Sequence, residues 1–267
     1  MKPMRVITLN ANGIRSAMGK GFGAWLAAQD ADICCLQEVR IAEQQLHDGL
    51  QPPSGWHAQW SFAERPGYAG VAVWSRTAPR RVARGIGEAE FDAEGRVLTT
   101  DFAGVRIVSL YLPSGSASEL RQASKFRFLA AFKTWLARQR RARLPVLVCG
   151  DWNIAHTEKD LKNWRGNRDH SGFLPEERAW LTEVLSAGWR DVFRELHPEA
   201  EGEGYTWWSN RGQARAKNVG WRIDYQLGTP AIAERAIAAR VHREDRFSDH
   251  APLIVDYELP IPGYAVE

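Results

Sequence analysis

Short apolar runs in this chain are repeatedly followed by acidic or amide side chains, and this pattern limits the possible folds more than any other feature of the sequence. Apolar runs of this length are typical of buried strands. Polar residues beside such runs lie at strand ends, where side chains from neighbouring strands can meet. The runs and their polar neighbours are residues 6–9 with Asn10 and Asn12, residues 33–36 with Glu38, residues 146–149 with Asp151 and Asn153, Ile223 with Asp224, and residues 251–257 with Asp249 and His250 before them. The pattern predicts a cluster of polar side chains at one rim of a sheet.

The acids of this pattern predict a metal site. They are Glu38, Asp151, Asp224 and Asp249. Gathering these carboxylates at one rim would destabilise the fold through mutual repulsion unless a cation lies among them. Each acid alone is also explained as an ordinary turn residue, because Asp and Asn are common in turns after strands. The set as a whole favours a divalent metal and hydrolytic chemistry.

The composition predicts a globular protein with a single domain over residues 1–267. The chain has 267 residues, of which 44% are hydrophobic, enough for a substantial core. The first residues carry no signal-peptide pattern, and no uninterrupted apolar run is long enough to cross a bilayer. We therefore expect a cytoplasmic protein that does not act at a membrane. Cys34, Cys35 and Cys149 lie inside apolar runs and are predicted to be buried, reduced thiols.

Strand-like and helix-like segments alternate irregularly along the chain. Segments 96–102 and 105–112 read as strands joined by a turn at Gly104, which predicts an antiparallel hairpin. Residues 22–29 and a segment that begins at Pro175 have the apolar periodicity of helices, and proline is favoured in the first turn of a helix. Hairpins mixed with helices favour a layered α/β sandwich over a parallel doubly wound sheet.

The segment 205–225 combines basic and aromatic side chains. The net charge of the chain is +3 at pH 7, too small by itself to identify a polyanionic partner. Within this segment, however, basic residues alternate with tryptophans: Arg211, Arg215, Lys217, Arg222, Trp207, Trp208 and Trp221. Basic side chains can hold phosphates while aromatic faces receive an unstacked nucleotide or sugar. The segment therefore favours a nucleic acid partner, and the alternative is a solvated loop with tryptophans in the core.

A series of short segments carries a resemblance to a known family. They are Leu-Asn-Ala-Asn-Gly-Ile-Arg at 9–15, Leu-Gln-Glu at 36–38, Tyr-Leu-Pro at 111–113, Gly-Asp-Trp-Asn-Ile-Ala at 150–155, Ser-Gly-Phe-Leu-Pro-Glu-Glu-Arg at 171–178, Lys-Asn-Val-Gly-Trp-Arg-Ile-Asp-Tyr at 217–225, and Ser-Asp-His-Ala-Pro at 248–252. In this order they resemble the motifs of the exonuclease III-like AP endonucleases, within the endonuclease/exonuclease/phosphatase superfamily. A Ser-Asp-His triplet alone is weak evidence, whereas an ordered series between residues 5 and 257 is strong.

The resemblance implies a four-layered α/β sandwich in which two mixed sheets pack together with helices outside. The implied substrate is double-stranded DNA with an abasic site, cut on its 5′ side to leave a 3′-hydroxyl. Mg²⁺ or Mn²⁺ would neutralise the charge that develops at the phosphate, because these hard ions prefer carboxylate and amide oxygens. The resemblance makes Glu38 the principal metal ligand, with Asn10 and Asp249 nearby.

The resemblance assigns catalytic roles to five residues. His250, held in orientation by Asp224, contacts the scissile phosphate as a cation. The alternative makes His250 the base that deprotonates water, and the sequence leaves this choice open. Asp151, with Asn153 two residues later, orients or deprotonates the attacking water. Tyr111 donates a hydrogen bond to the phosphate.

The resemblance also implies a set of DNA contacts. Trp207, Trp221 and Ile223 align with the apolar pocket that receives a flipped-out deoxyribose without a base. Arg211 falls where some relatives insert a side chain into the duplex, so it would be a wedge or a phosphate clamp. The other implied DNA contacts are Asn12, Asn163, Asn167, His170, Lys217 and Arg222. Loop asparagines are also ordinary turn formers, and mammalian-type enzymes have asparagine at the position of His170.

Other functions compete with incision at abasic sites. The same catalytic centre would serve a 3′-5′ exonuclease, a 3′-phosphatase or a 3′-phosphodiesterase that acts on blocked 3′ ends of DNA. Ser114 and Ala117 stand where mammalian-type enzymes have asparagine and arginine, so the second wedge of those enzymes has no counterpart. A non-catalytic DNA-binding protein is a remote alternative, because the catalytic residues are all present. We expect a monomer that associates with the nucleoid through DNA.

Overall fold

The computed structural model describes residues 2–259, and two β-sheets form the frame of the fold. In chain order the strands are β1 (Met4–Asn10), β2 (Ile33–Gln37), β3 (His57–Ser61), β4 (Val71–Ser75), β5 (Arg81–Arg84), β6 (Val97–Asp101), β7 (Arg106–Tyr111), β8 (Val146–Asp151), β9 (Arg190–Asp191), β10 (Trp207–Trp208), β11 (Gly220–Trp221), β12 (Asp224–Gly228), β13 (Ala236–Val241) and β14 (Leu253–Tyr257). The helices are α1 (Ile14–Gly19), α2 (Phe22–Ala28), α3 (Ala89–Asp92), α4 (Glu119–Gln139), α5 (Pro175–Ser186), α6 (Val192–Leu196) and α7 (Pro230–Ala233). Short 3₁₀ helices cover Glu43–Gln45, Asp48–Leu50, Glu158–Asp160, Trp164–Asn167 and Gly202–Gly204. The limits of the predicted domain, residues 1 and 267, lie outside the described residues.

Each of the two large sheets mixes parallel and antiparallel pairing. One has the strand order β13-β14-β1-β2-β4-β3, and the other has the order β5-β6-β7-β8-β12-β9. Strand β1 runs parallel to β2, and β7 runs parallel to β8. The other pairs in these sheets are antiparallel. Strands β10 and β11 form a small separate ribbon.

Both faces of each large sheet are covered, which explains the uninterrupted apolar runs of the sequence. In β1, Val6 belongs to the core between the sheets, whereas Ile7 packs in the outer core with residues of α1 and α2. In β8, Leu147 lies in the core between the sheets and Val148 packs with residues of α4 and α5. Strands buried on both faces lose the alternation of apolar and polar residues. The predicted four-layered sandwich with two mixed sheets is confirmed.

Several local predictions are also confirmed. Strands β6 and β7 form the predicted antiparallel hairpin, with Asp101 opposite Arg106. Helix α5 begins at Pro175, with Glu177 in its first turn. The three cysteines are free and buried.

Within residues 2–259, no helix combines the length and apolar character that crossing a membrane requires.

Arg222 lies in the protein interior, so its predicted contact with DNA is wrong. The residue is 1% exposed. Its guanidinium donates to Asp160 Oδ1 at 2.7 Å and to the two carboxylate oxygens of Asp191 at 3.1 and 2.7 Å. Arg194 donates to the same oxygen of Asp160 at 2.7 Å. A guanidinium held by two buried carboxylates is not available to a phosphate on the surface.

This ion-pair network fixes the segment that leads into β12. Burial alone would raise the pKa of Asp160, but the positive charges of Arg222 and Arg194 lower it well below its ordinary value. Asp160 is therefore ionised at neutral pH. Since Arg222 comes two residues before Asp224, the first residue of β12, the network sets where β12 begins.

Replacing Arg222 by methionine should destabilise the fold strongly. Arg222→Met leaves Asp160 and Asp191 buried without their shared partner, and removing one member of a buried pair costs about 3–5 kcal/mol. The measurement is the free energy of unfolding in urea, and the control is Lys133→Met. Lys133 pairs with Glu183 at the surface, where both side chains are about half exposed, so the control should lose less than about 1 kcal/mol. Equal losses in the two variants would contradict the role of the network.

Candidate active site

The strand topology brings the predicted site residues together at one edge of the sandwich. Asn10 ends β1 and Glu38 follows β2, and because these strands are parallel, the two residues lie at the same end of their sheet. In the other sheet, Tyr111 and Asp151 end the parallel strands β7 and β8 and are direct neighbours in register. Strand β12 is antiparallel to β8, so its first residue, Asp224, lies opposite Asp151. The rim predicted from the sequence thus spans both sheets.

Asn10 joins the two sheets at this edge. The residue is fully buried. Its side-chain nitrogen donates to Glu38 Oε1 and to Asp151 Oδ2, each at 2.8 Å. Its side-chain oxygen accepts from the backbone N–H of Asn12 at 2.9 Å. Because one amide satisfies two buried carboxylates that repel each other, Asn10 controls the separation of Glu38 from Asp151.

Glu38 and Asn153 are among the site residues whose backbone has a conformation that residues other than glycine rarely adopt. The φ angle is 48° at Glu38 and 50° at Asn153, and such conformations cost about 1–3 kcal/mol each. Hydrogen bonds hold Asn153 in place: its backbone N–H donates to Asp151 Oδ1 and its side-chain amide to the carbonyl of Leu112, both at 2.8 Å. The strain therefore serves to direct these two side chains into the site.

Glycine is required just before Asp151. A Cβ atom on Gly150 would lie 1.9 Å from the carbonyl oxygen of Leu110 in β7. No other residue allows β7 and β8 to approach this closely. Gly150 therefore permits the register in which Tyr111 and Asp151 are neighbours.

His250 and Asp224 form a buried pair beside Asp151. The distance from His250 Nδ1 to Asp224 Oδ2 is 2.8 Å, and the distance from His250 Nε2 to Asp151 Oδ2 is 3.9 Å. His250 is 5% exposed and Asp224 is 0% exposed. Asp224 Oδ1 is buried and has no hydrogen-bond partner. Since Nδ1 is engaged by Asp224, Nε2 is the nitrogen that faces the rest of the site.

The pKa values of Asp151 and His250 are both raised, that of Asp151 to near neutrality and that of His250 above it. Burial raises the pKa of Asp151 to about 7, with a further contribution from the charges of Asp224 and Glu38 and an opposing one from His250. Burial alone would lower the pKa of His250, but Asp224, Asp151 and Asp249 raise it to about 10. The imidazole is therefore held as a cation at neutral pH. A divalent cation bound among the acids would lower the pKa of Asp151 again.

The donor set of the site fits a hard divalent cation. Glu38 is 8% exposed and presents its carboxylate beside the amide of Asn10 and the carboxylate of Asp151. Among the residues from 2 to 259, Asp151, Asp224 and His250 also bring polar atoms within 4.8 Å of one another, and the two carboxylates of this group can bind a cation while the imidazole is protonated. Oxygen donors dominate both groups, as Mg²⁺ and Mn²⁺ require.

Asp249 connects this cluster to a neighbouring tryptophan. One of its carboxylate oxygens accepts from the Asn12 amide at 2.8 Å, and the other accepts from Trp207 Nε1 at 3.1 Å. Burial raises the pKa of Asp249, but His250, Asn12 and Trp207 lower it overall. Asp249 is therefore an ionised group that holds Asn12 and Trp207 in place.

A cleft of about 590 Å³ opens beside Asn153. Trp207, Trp221 and Ile223 all line it, so the three residues predicted to form a sugar pocket lie in one cavity. The rings of Trp207 and Trp221 are nearly perpendicular, with centroids 6.3 Å apart, and the Trp207 centroid lies 6.4 Å from that of His250. The other residues that line the cleft are Ser114, Gly115, Ser116, Ala117, Ser118, Glu119, Gln122, Asn153, Asn167, Asp169, His170, Ser171, Gly172 and Leu174. The cleft thus adjoins the buried acids and the imidazole.

The remaining predicted DNA contacts lie at the surface. Arg211, Lys217 and Asn163 are exposed, and none of them lines the cleft. The carbonyl of Asn163 accepts from the side chain of Asn167 at 2.8 Å, which holds the loop between them. Contacts of these residues with DNA stay predictions.

The sequence analysis did not find Arg96, which supports Tyr111 from behind. Arg96 is 3% exposed, and its guanidinium carbon lies 4.8 Å from the centroid of the Tyr111 ring. It also donates to the carbonyl of Tyr111 at 3.2 Å and to the Tyr68 hydroxyl at 2.8 Å. Burial and the charge of Glu38 raise the pKa of Tyr111 well above its ordinary value, so its hydroxyl keeps its proton. A lone arginine before a strand carries no pattern that would reveal this contact.

The sequence and the fold are both similar to those of known nucleases. Residues 7–250 match the endonuclease/exonuclease/phosphatase family. An exodeoxyribonuclease of Bacillus subtilis (strain 168) is 39% identical over 251 residues, which cover 94% of this chain and 98% of that protein. The DNA repair nuclease APEX1 of Danio rerio is 39% identical over 252 residues, which cover 94% of this chain and 81% of that protein.

A solved structure supports the same relationship. The 3′ phosphatase NExo from Neisseria, bound to a product DNA hairpin, has a TM-score of 0.88 and 28% sequence identity, with 96% of this chain and 100% of that chain covered. The family match, the identity to curated proteins over most of their length and the shared fold agree. The chain belongs to the endonuclease/exonuclease/phosphatase family.

Proposed function

We propose that this protein is a metal-dependent DNA repair nuclease that incises duplex DNA on the 5′ side of an abasic site and leaves a 3′-hydroxyl. The observation that carries this proposal is the buried group of Asp151, Asp224 and His250 beside a cleft lined by Trp207 and Trp221. Hydrolytic groups and the apolar side chains of the cleft are thereby adjacent. Relatives named as an exodeoxyribonuclease and a DNA repair nuclease support DNA as the substrate.

The cleft supports recognition of a nucleotide that lacks its base. A baseless nucleotide costs less to unstack from the duplex than one that retains its base. The faces of Trp207 and Trp221, with Ile223 at the base of the cleft, offer an apolar surface to the exposed deoxyribose. His170 and Asn167 line the same cavity, which supports a contact of these residues with the flanking phosphates.

Glu38 would hold the metal, with Asp151 adjacent and Asn10 bonded to both carboxylates. When bound there, Mg²⁺ or Mn²⁺ supplies positive charge against the negative charge that develops at the reacting phosphate. The hydrogen bonds of Asn10 keep the carboxylates at a fixed separation before the ion arrives. Asp249 would lie near the metal, where its two oxygens accept hydrogen bonds from Asn12 and Trp207.

His250 acts in this proposal as a cation that contacts the phosphate. The carboxylate of Asp224 engages Nδ1, leaving Nε2 to donate towards a nonbridging oxygen. A pKa of about 10 favours the protonated imidazole over a general base at neutral pH. Charge that increases on the phosphate in the transition state is then stabilised by a donor already in place.

Asp151 and Asn153 act on the attacking water. Asp151 accepts a proton from water as the water oxygen bonds to phosphorus. The bond from phosphorus to the 3′ oxygen of the preceding nucleotide breaks, and that oxygen takes a proton from solvent to become the 3′-hydroxyl. The carboxylate of Asp151 can accept the proton of the attacking water because it lies beside the site in ionised form when a cation is bound. Asn153 holds Asp151 through its backbone N–H. The hydroxyl of Tyr111 stays protonated and donates a hydrogen bond to the phosphate.

A second candidate function is the processing of 3′ ends, as a 3′-5′ exonuclease, 3′-phosphatase or 3′-phosphodiesterase. The cleft continues past the tryptophans along the small residues from Ser114 to Ser118. Such an open wall would admit a frayed 3′ terminus or a blocking group. The structural similarity to a 3′ phosphatase gives this candidate additional support.

We also propose that the protein works as a monomer on nucleoid DNA in the cytoplasm. One chain supplies every residue to which this mechanism assigns a role. No residue from a second copy is needed to complete the cluster around Asp151 and His250.

A comparison of two DNA substrates tests the proposed function and its metal requirement. A labelled duplex with one abasic analogue and a duplex with a recessed 3′ strand are each incubated with Mg²⁺ and with EDTA. We expect rapid incision 5′ to the abasic position, slower trimming of the recessed end, and loss of both activities in EDTA. Faster trimming than incision would favour the second candidate function, and no cleavage of either DNA would contradict both.

Replacing His250 by alanine should reduce cleavage far more than DNA binding. His250→Ala removes a transition-state contact, and loss of one such donor costs about 10²–10³-fold in kcat. DNA affinity, measured by fluorescence anisotropy in Ca²⁺, should change by less than about threefold. Unchanged single-turnover cleavage would remove His250 from the mechanism.

Replacing Trp221 by alanine should weaken discrimination for the abasic nucleotide. Trp221→Ala removes an apolar face of the cleft, and at about 25 cal/mol per Å² of apolar surface buried against the sugar the loss should be about 1–2 kcal/mol. Arg211→Ala is the matched comparison, because it should weaken binding to abasic and intact duplex equally and reduce the salt dependence. Equal losses on both duplexes for Trp221→Ala would contradict its place in the pocket.

A further inference from the structure

A fully buried ion pair joins α4 and α5 beneath the cleft. Lys125 Nζ lies 2.6 Å from Glu177 Oε1, and both side chains are 0% exposed. Burial lowers the pKa of Lys125, and the charge of Glu177 opposes that effect. Neither residue has a part in the proposed chemistry. Buried ion pairs contribute little net stability compared with apolar residues of similar volume, so packing alone does not account for this pair.

Lys125 supports the residue that holds Asp151. Its ammonium group donates to the backbone carbonyl of Asn153 at 2.8 Å. Asn153 has the strained φ of 50° and donates its own N–H to Asp151 Oδ1. A backbone in this conformation persists only when its surroundings fix it. The ammonium therefore fixes the carbonyl of the same residue whose N–H holds Asp151.

Glu177 supports the wall of the cleft. Its Oε2 atom accepts from the backbone N–H of Gly172 at 2.6 Å and from that of Leu174 at 3.1 Å. Both of these residues line the cleft. A Cβ atom on Gly172 would lie 3.2 Å from the ring of Trp221, so the loop and the tryptophan are in close contact. Moving this loop would move the surface on which Trp221 packs.

A hydrogen bond between the two supported segments completes the connection. The N–H of Ala155 donates to the carbonyl of Gly172 at 2.7 Å. Lys125 thus holds the segment that positions the water-orienting groups, Glu177 holds the segment that forms the cleft, and the two segments are bonded to each other. Lys125 and Glu177 are paired with each other across the two helices. Lys125 is also bonded to the segment at Asn153, and Glu177 to the segment at Gly172.

We propose that Lys125 and Glu177 are a positioning pair that sets the distance between Asp151 and the cleft wall at Gly172. This role rests on the proposed nuclease function, because Asp151 and the cleft must act on the same nucleotide. The pair does not touch the DNA. It acts through Asn153 on one side and through Gly172 on the other.

The test compares two lysines that join the same pair of helices. Lys125→Met removes the buried ammonium, and Lys133→Met removes the exposed partner of Glu183. We expect Lys125→Met to lower kcat on the abasic duplex by about 10- to 100-fold, since small misplacements of reacting groups have effects of this size. KM should change by less than about threefold. Lys133→Met should leave kcat within about twofold of the wild-type value.

A double variant separates positioning from stability. Lys125→Met leaves Glu177 buried without its counterion, so the single variant is expected to be less stable. Lys125→Met/Glu177→Gln removes both charges, and the glutamine oxygen can still accept from Gly172. We expect the double variant to unfold at a urea concentration close to that of the wild type, with kcat still reduced because the carbonyl of Asn153 has lost its donor. A folded double variant with wild-type kcat and KM would overturn the proposal.

An NMR measurement tests the pair without relying on activity. Amide protons bonded to a carboxylate resonate at low field, and Glu177 is bonded to the amides of Gly172 and Leu174. Both resonances should move upfield in the double variant and stay unchanged in Lys133→Met. If the wild-type protein cleaves no DNA, the proposed function fails while the amide shifts still report on the pair. If the wild type cleaves DNA and the amides do not move, the proposed pair fails alone.

Discussion

The amide of Asn10 is the contact on which the site depends most. Glu38 belongs to one sheet and Asp151 to the other, and both are buried acids that repel each other. The side-chain nitrogen of Asn10 donates to both at 2.8 Å, so it connects the sheets where they would otherwise be pushed apart. His250 compensates part of the remaining negative charge from the opposite side. The site is therefore an electrostatic balance built across the seam between two sheets.

The main residues of this site can be predicted from the sequence because they share one local pattern. Asn10, Glu38 and Asp151 each follow an apolar run, and a strand end is visible in a single stretch of chain. The fold class follows from the same runs, together with the hairpin of β6 and β7 and the capping signal at Pro175. The family motifs add the pairing of His250 with Asp224, which no local pattern carries. The outline of the fold and the main cluster could thus be predicted.

The partners of buried charges could not be predicted from the sequence. Arg222 stands among tryptophans and basic residues, so the local composition indicates a DNA-binding surface. Its counterions, Asp160 and Asp191, lie 62 and 31 residues away and come close only through the pairing of β12 and the placement of Arg194 on α6. Lys125 and Glu177 present the same difficulty, because on their own helices they look like ordinary solvated residues. Burial is a property of the packed fold, and charge patterns along the chain do not report it.

The pairing of β1 with β14 has a consequence for the synthesis of the protein. β1 (Met4–Asn10) carries the first residue of the site, and β14 (Leu253–Tyr257), which follows His250, pairs along its edge. While the ribosome adds the residues between them, the edge of β1 that later pairs with β14 has no partner. The Asn10 side chain then lacks some of the residues that later bury it. The catalytic cluster is complete only after the last described strand has left the ribosome. A chain that ends before β14 therefore lacks the antiparallel partner that covers this edge of β1.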